Sequence, residues 1–215
     1  MPQASLWEER SFMKKQILFL TFIFLAKTVF SQELLLKNLS FEGRAMPSEI
    51  PYPWVSCGDR NESQPDTQPG FFDCKTKPHH GDTYIGMVVR DNDTQERISQ
   101  KLTSPLQASV AYHFSIWLAQ SEYYLSHSPT TSRAVNFIAP CILKVWSVNK
   151  NGKKVEQLAA TNAVNHKDWK EYELVFTPKK ICTHIMFEAY YSDASEPSNG
   201  HILIDDMTNI SIFLK

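Results

Sequence analysis

The stretch AYHFSIWLA, residues 111–119, alternates between large apolar side chains and smaller or polar ones. Successive side chains of a β-strand point to opposite faces, so every second residue shares one face. The face predicted to be core carries Tyr112, Phe114, Ile116 and Leu118. The opposite face carries His113, Ser115 and Trp117. This alternation predicts one strand of a sheet with a single buried face.

The same period of two recurs along the chain in short runs separated by Pro, Asn, Asp and Gly. About ten strands are predicted, which is typical of an antiparallel sandwich of two sheets. The other candidates are Leu34–Phe41, Trp54–Cys57, Thr83–Val89, Ile98–Leu102, Ile142–Val148, Gln157–Ala163, Glu171–Phe176, His184–Tyr191 and His201–Ile212. The best candidate for a helix, residues 91–99, is short and polar. The predicted fold class is therefore all-β.

Two stretches between these strands, residues 47–80 and 121–140, are too long for simple hairpin turns. Loops of that length usually have a function or cover another surface.

The start of the chain has the pattern of a secretory signal. A basic pair at residues 14–15 precedes an apolar run at 17–26, and residues 29–31 fit a signal-peptidase site. The apolar run is shorter than the roughly 20 residues that a membrane span needs. We therefore predict a signal peptide at 1–31 and one exported domain at 32–215, periplasmic or extracellular, with no membrane span after cleavage.

Two acidic residues, Glu8 and Glu9, are unusual ahead of a basic signal region. Translation from Met13 is therefore an alternative, with residues 1–12 upstream of the true start. Removing residues 1–31, which carry four basic and two acidic side chains, changes the formal net charge from −1 to −3. This charge offers no footprint for a phosphate backbone, so no nucleic-acid partner is predicted.

The four cysteines, Cys57, Cys74, Cys141 and Cys182, all follow the predicted cleavage site, in a part of the chain where disulfides would be allowed to form. Four cysteines permit three pairings. Cys57 and Cys74 bracket a loop rich in polar and turn-forming residues and are the predicted pair. No CxxC motif occurs, so a zinc site built on thiolates has little support.

Several motifs resemble those of galactose-binding-like jelly rolls, the fold of carbohydrate-binding modules. In chain order they are Asn38–Gly43, Gly81–Met87, Ile98–Leu102, Tyr112–Leu118, Trp169–Tyr172 and Ile202–Met207. The closer resemblance is to exported domains of Bacteroidetes-type bacteria, in which Pro65–Gly70 also appears. Leu39 departs from these domains, which often have Pro there. The resemblance implies a single jelly-roll domain, located at the cell envelope.

A sugar-binding groove is predicted on side chains that alternation turns away from the core. Its members are Trp117, Trp146, Lys144, Glu188 and Tyr190, with Tyr123 and Tyr124 as further stacking surface in the loop that follows. The apolar face of a sugar stacks on aromatic rings, while Lys or Glu bonds its hydroxyls. The alternative is that loops such as 121–140 cover this face and make the aromatics a second core.

Glu42 and Asp205 occupy positions at which the resembled modules commonly hold a structural calcium, with Asp206 as an alternative ligand. Calcium takes six to eight oxygen ligands, which carboxylates and backbone carbonyls supply. For the neighbouring pair His79 and His80, a solvated loop entry is favoured over a metal site, since adjacent side chains point in different directions.

The predicted function is a non-catalytic carbohydrate-binding module that needs no cofactor for chemistry. The sequence has no GxSxG or HExxH motif, so an enzyme is not predicted. The first alternative is a structural or adhesive module that binds a cell-envelope protein. The second alternative is a hydrolase in which Glu188 pairs with Glu171 or Glu173, at the separation of about 5 to 10 Å that glycosidases use.

Overall fold

The computed structural model describes residues 34–193 and 196–214, so the predicted signal peptide lies outside the described residues. These residues form thirteen strands and no helix, which confirms the predicted all-β class. No helix within the described ranges has the length and hydropathy needed to cross a membrane.

The strands are short, and all of their pairings are antiparallel. They are β1 (Val55–Ser56), β2 (Asp66–Gln68), β3 (Tyr84–Val89), β4 (Arg97–Leu106), β5 (Tyr112–Gln120), β6 (Leu125–His127), β7 (Ala134–Asn136), β8 (Cys141–Val148), β9 (Lys154–Ala160), β10 (Lys170–Phe176), β11 (Cys182–Tyr191), β12 (Gly200–Asp205) and β13 (Ser211–Ile212).

Two sheets pack face to face. Sheet 1 has the order β1-β4-β11-β8-β9, and sheet 2 has the order β10-β5-β12-β3-β2 with β13 paired to β5. Strands β6 and β7 form a separate hairpin. Most neighbours in each sheet, such as β4 with β11 and β5 with β12, are far apart in sequence, which is the connectivity of a jelly roll rather than of a meander.

The core lies between the sheets and is rich in aromatic rings. Phe187 of sheet 1 is fully buried, with ring centroids 5.3 Å from Trp54 and 6.0 Å from Phe114 of sheet 2. The predicted core face of β5 is confirmed, since Tyr112, Phe114, Ile116 and Leu118 are all buried in it.

Two predicted elements differ because single residues adopt positive φ angles, which L-amino acids rarely tolerate in strands. The stretch 34–41 is not a strand, because Asn38 and Phe41 have φ of 51° and 52°. Its apolar residues nevertheless enter the core, where Leu36 and Phe41 are fully buried. The predicted strand 201–212 is split into two strands, because β12 ends at Asp205 and the next residue, Asp206, has φ of 44°.

Residues 91–99, the best helix candidate in the sequence, form no helix. A turn occupies residues 91–93, and β4 begins at Arg97. The backbone N–H of Arg90 donates to the carbonyl of Thr94 (3.0 Å), which closes a hairpin-like turn instead of a helical one.

Both long irregular stretches contain short strands, and part of each stretch covers the outer face of sheet 2. Cys74 packs against Tyr84, while Tyr124 and Phe137 pack against Val88. These contacts make the outer face of sheet 2 a second, smaller core. The prediction that a long loop covers a sheet face is therefore confirmed for this sheet.

The predicted disulfide is wrong, because all four cysteines are free. The N–H of Cys57 donates to the carbonyl of Arg97 at the edge of sheet 1, whereas Cys74 Sγ lies 3.4 Å from Tyr84 Oη outside sheet 2. Packed sheets are about 10 Å apart, while the Cα atoms of a disulfide are usually within about 7 Å. The two thiols therefore lie on opposite sides of the sandwich.

His201 of β12 should make the protein less stable in mild acid. It is fully buried against Tyr124 and Ser121, and burial lowers its pKa to about 3. Below its unfolded pKa of about 6.5, the unfolded chain binds a proton that the folded chain excludes. The free energy of unfolding therefore decreases as the pH is lowered. We expect the free energy of unfolding to drop by about 2 kcal/mol between pH 7 and pH 5 from this residue.

The measurement is urea unfolding at both pH values for wild type and for His201→Gln. The variant should lose about 2 kcal/mol less than wild type over this interval. Equal losses in the two proteins would show that His201 is not excluded from protonation in the folded state.

Candidate functional site

A row of outward side chains crosses sheet 1 at the level of Glu188. The backbone N–H of Cys57 donates to the backbone carbonyl of Arg97. Glu188 lies opposite Arg97 on one neighbouring strand and opposite Lys144 on the other. Since cross-strand partners share a face of the sheet, these side chains lie side by side. We call the surface formed by Arg97, Lys144, Trp146, Lys154, Glu188 and Tyr190 the Glu188 face.

The carboxylate at its centre is fully buried and fully bonded. Arg97 Nε donates to Glu188 Oε1 at 2.6 Å, and Trp146 Nε1 donates to Oε2 at 2.8 Å. Lys154 Nζ donates to both oxygens, at 2.6 and 2.8 Å. Buried charges persist when they are paired and hydrogen-bonded, so this network links four strands of sheet 1, β4, β8, β9 and β11, through side chains.

Both aromatic rings of the Glu188 face carry an ammonium group. Lys154 Nζ lies 4.4 Å from the ring centroid of Trp146, and Lys144 Nζ lies 3.0 Å from that of Tyr190. Such cation–π contacts occupy one face of each ring. Burial lowers the pKa of Lys144. Trp146 and Tyr190 remain partly exposed, so each ring still presents surface to solvent.

A cavity of about 420 Å³ opens at the Cys57 end of this row. We call it the polar cavity, and its lining is formed by Ser56, Cys57, Gly58, Asp59, Arg60, Glu62, Gln64, Asn151 and Gly152. Gly152, at the tip of the β8–β9 hairpin, has φ of +75°, and a Cβ atom there would lie 3.8 Å from Cys57 Cβ. The hairpin tip therefore reaches across sheet 1 to close one wall of the cavity.

The cysteine in this cavity is not an activated nucleophile. Burial is the largest influence on Cys57 and raises its pKa, although Arg97 and Lys154 act in the opposite direction. A thiol with a raised pKa is mostly protonated at neutral pH and reacts slowly.

The structure separates the predicted groove into two surfaces. Trp146, Lys144, Glu188 and Tyr190 come together as predicted, but Trp117 lies on β5 of sheet 2. Both tryptophans face away from the core, and the outer faces of the two sheets point in opposite directions. The single groove containing Trp117 and Trp146 is therefore wrong.

On sheet 2, a loop residue covers Trp117. The imidazole of His79 stacks on Trp117 with ring centroids 3.8 Å apart and an interplanar angle of 15°. His79 Nδ1 also lies 3.1 Å from Asp206 Oδ2. The loop entry at His79 and His80 thus packs on a tryptophan, and one face of that ring is unavailable to a ligand.

The two tyrosines that were predicted to add stacking surface have different environments. Tyr124 is buried and its hydroxyl donates to Asp66 Oδ2 at 2.8 Å, so its proposed ligand contact is wrong. Tyr123 is 49% exposed, in the loop over sheet 2 rather than beside the Glu188 face.

The carboxylates predicted to bind calcium are already bonded to protein donors. Asp205 Oδ2 accepts the backbone N–H groups of residues 79–80, and its Oδ1 accepts the N–H of Asp206. Glu42 Oε2 accepts the N–H of Asp82 at 3.1 Å. Burial raises the pKa of Asp205 to about 6.

As arranged, these groups do not offer the six to eight free oxygens that calcium takes. Within residues 34–193 and 196–214, no group of three His, Cys, Asp or Glu side chains is placed to hold a metal. A structural calcium ion stays a prediction.

The carboxyl pair considered for a hydrolase does not form. Glu188 is on β11 of sheet 1, whereas Glu171 and Glu173 are on β10 of sheet 2. Glycosidase carboxyls must face each other across one substrate, which these residues on different sheets do not do.

Sequence reasoning missed Arg97, Lys154 and most of the polar cavity. Arg97 and Lys154 stand just outside the strands predicted at 98–102 and 157–163, because an apolar pattern does not extend to them. The alternation of β4 and β11 was the available signal, since it places Arg97 on the same face as Ser99 and Lys101.

No family model matches the chain, and no curated protein matches it. Solved structures do match. A cyclase from Fischerella sp. TAU is 14% identical with a TM-score of 0.52, over 84% of this chain and 96% of its own. The K3 cleaved adhesin domain of Lys-gingipain from Porphyromonas gingivalis w83 is 12% identical with a TM-score of 0.51, over 83% and 98%.

Carbohydrate-binding modules are also among the matching structures. The CBM22-1 xylan-binding domain of Paenibacillus barcinonensis Xyn10C is 14% identical with a TM-score of 0.46, over 80% of this chain and 90% of its own. At such identities the likeness concerns the fold alone. The chain has the architecture of a β-sandwich jelly roll.

Proposed function

We propose that this chain is an exported, non-catalytic module that binds a glycan at the Glu188 face and the polar cavity. The observation that carries the proposal is the juxtaposition of a polar cavity of about 420 Å³ with the Glu188 face, which contains two partly exposed aromatic residues. Small-ligand sites commonly have volumes of about 300 to 1,000 Å³.

The lining of the cavity matches the chemistry of sugar hydroxyls. Asp59 supplies acceptors, Arg60 supplies donors, and the amides of Gln64 and Asn151 supply both. On the Glu188 face, Trp146 and Tyr190 offer apolar ring surface to the C–H face of a sugar. The site needs no titrating nucleophile, in keeping with binding rather than catalysis.

The test is affinity electrophoresis and pull-down with a panel of polysaccharides, using the full chain and three variants. Trp146→Ala should weaken binding at least about tenfold, as expected for an aromatic residue in a binding site. The double variant Gln64→Ala, Asn151→Ala should weaken it similarly without disturbing the core, because both side chains are exposed.

Trp117→Ala is the matched control, because it removes an outward tryptophan from the opposite sheet. It should bind like wild type, and circular dichroism should show all variants folded. Loss of glycan binding in Trp117→Ala alone would show that the binding site is on sheet 2. Absence of binding to every glycan by the folded protein would refute the proposal.

A second candidate function is protein binding, supported by an apolar patch on the loops over sheet 2. Phe72, Tyr123 and Leu125 are 38%, 49% and 49% exposed, and the N–H of Leu125 donates to the carbonyl of Phe72. Clustered exposed apolar side chains are typical of interaction sites. The double variant Tyr123→Ser, Leu125→Ser would abolish capture of an envelope protein and leave glycan binding unchanged.

A further inference from the structure

The Glu188 face carries an excess of positive charge. Arg97 and Lys154 share the single carboxylate of Glu188. Lys101 projects from the same face of β4 as Arg97, since the two are four residues apart in one strand. Lys144 is the third cation of the Glu188 face, so three positive side chains accompany one negative one and the formal net charge of this face is +2 at neutral pH. Lys101 adds a further positive charge beside it.

Lys144 differs from the other cations that surround Glu188. Its ammonium group lies over Tyr190 and makes no salt bridge with any residue of the described ranges. A lysine ammonium has three N–H donors, which a ring face does not satisfy as a carboxylate does. Lys144 is half-buried, and charge-assisted hydrogen bonds at partly desolvated positions are stronger than neutral ones.

We infer that the Glu188 face binds glycans that carry acidic groups, with Lys144 contacting the acidic group. This inference rests on the proposed glycan binding and specifies its ligand class. Lys144 stands three strands away from Cys57 along the row, at a distance of about 14 Å by the spacing of strands. A chain of sugars can therefore place hydroxyls in the polar cavity and an acidic group at Lys144.

The test compares two pairs of polymers that share a backbone, one member carrying acidic groups and the other none. One pair is polygalacturonate and its fully methyl-esterified form, and the other is dextran sulfate and dextran. We expect the protein to bind the charged member of at least one pair more tightly than the neutral member. The pair that shows this difference identifies the acidic group as a carboxylate or a sulfate. Binding should weaken as the salt concentration rises from about 0.05 to 0.5 M, because salt screens interactions between exposed charges that are more than roughly 10 Å apart.

Lys144→Gln should lower affinity for the charged polymer at least about tenfold, the effect of losing one charge-assisted contact. Lys144→Arg keeps the charge and should retain most of the binding. Lys170→Gln, an exposed lysine on β10 of sheet 2, is the matched control and should bind like wild type.

In a protein that does bind a charged polymer, three results would overturn the inference. They are equal binding of charged and neutral partners, equal loss in Lys170→Gln, and equally tight binding of a single-stranded DNA oligonucleotide, which would indicate a non-specific polyanion surface. Binding of neutral glycans alone would refute this inference and leave the proposed function standing. Binding of no glycan of either kind would refute both.

Discussion

Glu188→Ala should lower the free energy of unfolding by about 3 kcal/mol, as expected when one member of a buried charge network is removed. The substitution deletes an acceptor of hydrogen bonds from Arg97, Lys154 and Trp146. It leaves two cations facing each other without the carboxylate that separates them. The loss also releases β4, β8 and β9 from a common side-chain contact across sheet 1.

Urea unfolding at pH 7, followed by tryptophan fluorescence, measures this effect. Glu173→Ala is the matched control, because Glu173 is exposed on β10 of sheet 2, and it should change stability by less than about 0.5 kcal/mol. Adding Lys154→Met to Glu188→Ala should recover part of the loss, since it removes one of the unpaired cations. If Glu188→Ala were as stable as wild type, the network would make no net contribution to the free energy of unfolding.

Arg90→Met should destabilise the protein by about 3 to 5 kcal/mol, the usual cost of leaving one partner of a buried pair alone. Arg90 Nη2 donates to Glu96 Oε1 and to Ser63 Oγ, and both Arg90 and Glu96 are buried. Glu96 also accepts the backbone N–H of Val88 at 3.0 Å. Methionine fills a similar volume without charge, so the measured loss reports the ion pair more than a cavity.

The effect of Arg90→Met should extend to the polar cavity. Arg90 Nε lies 3.6 Å from Glu62 Oε2, and Glu62 lines that cavity. Thermal and urea unfolding give the stability, and Arg133→Met on an exposed loop is the control. Burial raises the pKa of Glu96 to about 7, so without Arg90 its carboxyl should take up a proton. A loss below about 1 kcal/mol would contradict the expectation.

Most strands of this fold were predictable because alternation is a local property, whereas the short strands β2, β6 and β7 lie in the two long stretches that were not predicted as strands. Nine of the ten predicted strand segments coincide with observed strands, and the face assignments of β5, β8 and β11 were correct. The exception, residues 34–41, shows the limit of the pattern. Its apolar side chains are buried as core residues, but positive φ angles at Asn38 and Phe41 prevent strand pairing.

The candidate site was predictable only in part. Alternation placed Lys144, Trp146, Glu188 and Tyr190 on outward faces, and they do meet on sheet 1. It gave Trp117 the same outward orientation, and this residue lies on the opposite side of the molecule. The polar cavity was not predicted, because its walls come from residues 56–64 and the hairpin tip at 151–152, which only folding brings together.

The amino-acid sequence by itself therefore determined that the chain is all-β and which side chains of each strand point toward the core. The reason is that the period of two follows from backbone geometry within a single strand. Tertiary structure alone decided which strands share a sheet, which outward side chains become neighbours, and which loops cover sheet 2. Those outcomes depend on pairing between segments far apart in sequence, such as β4 with β11, and no local pattern encodes the partner of a strand.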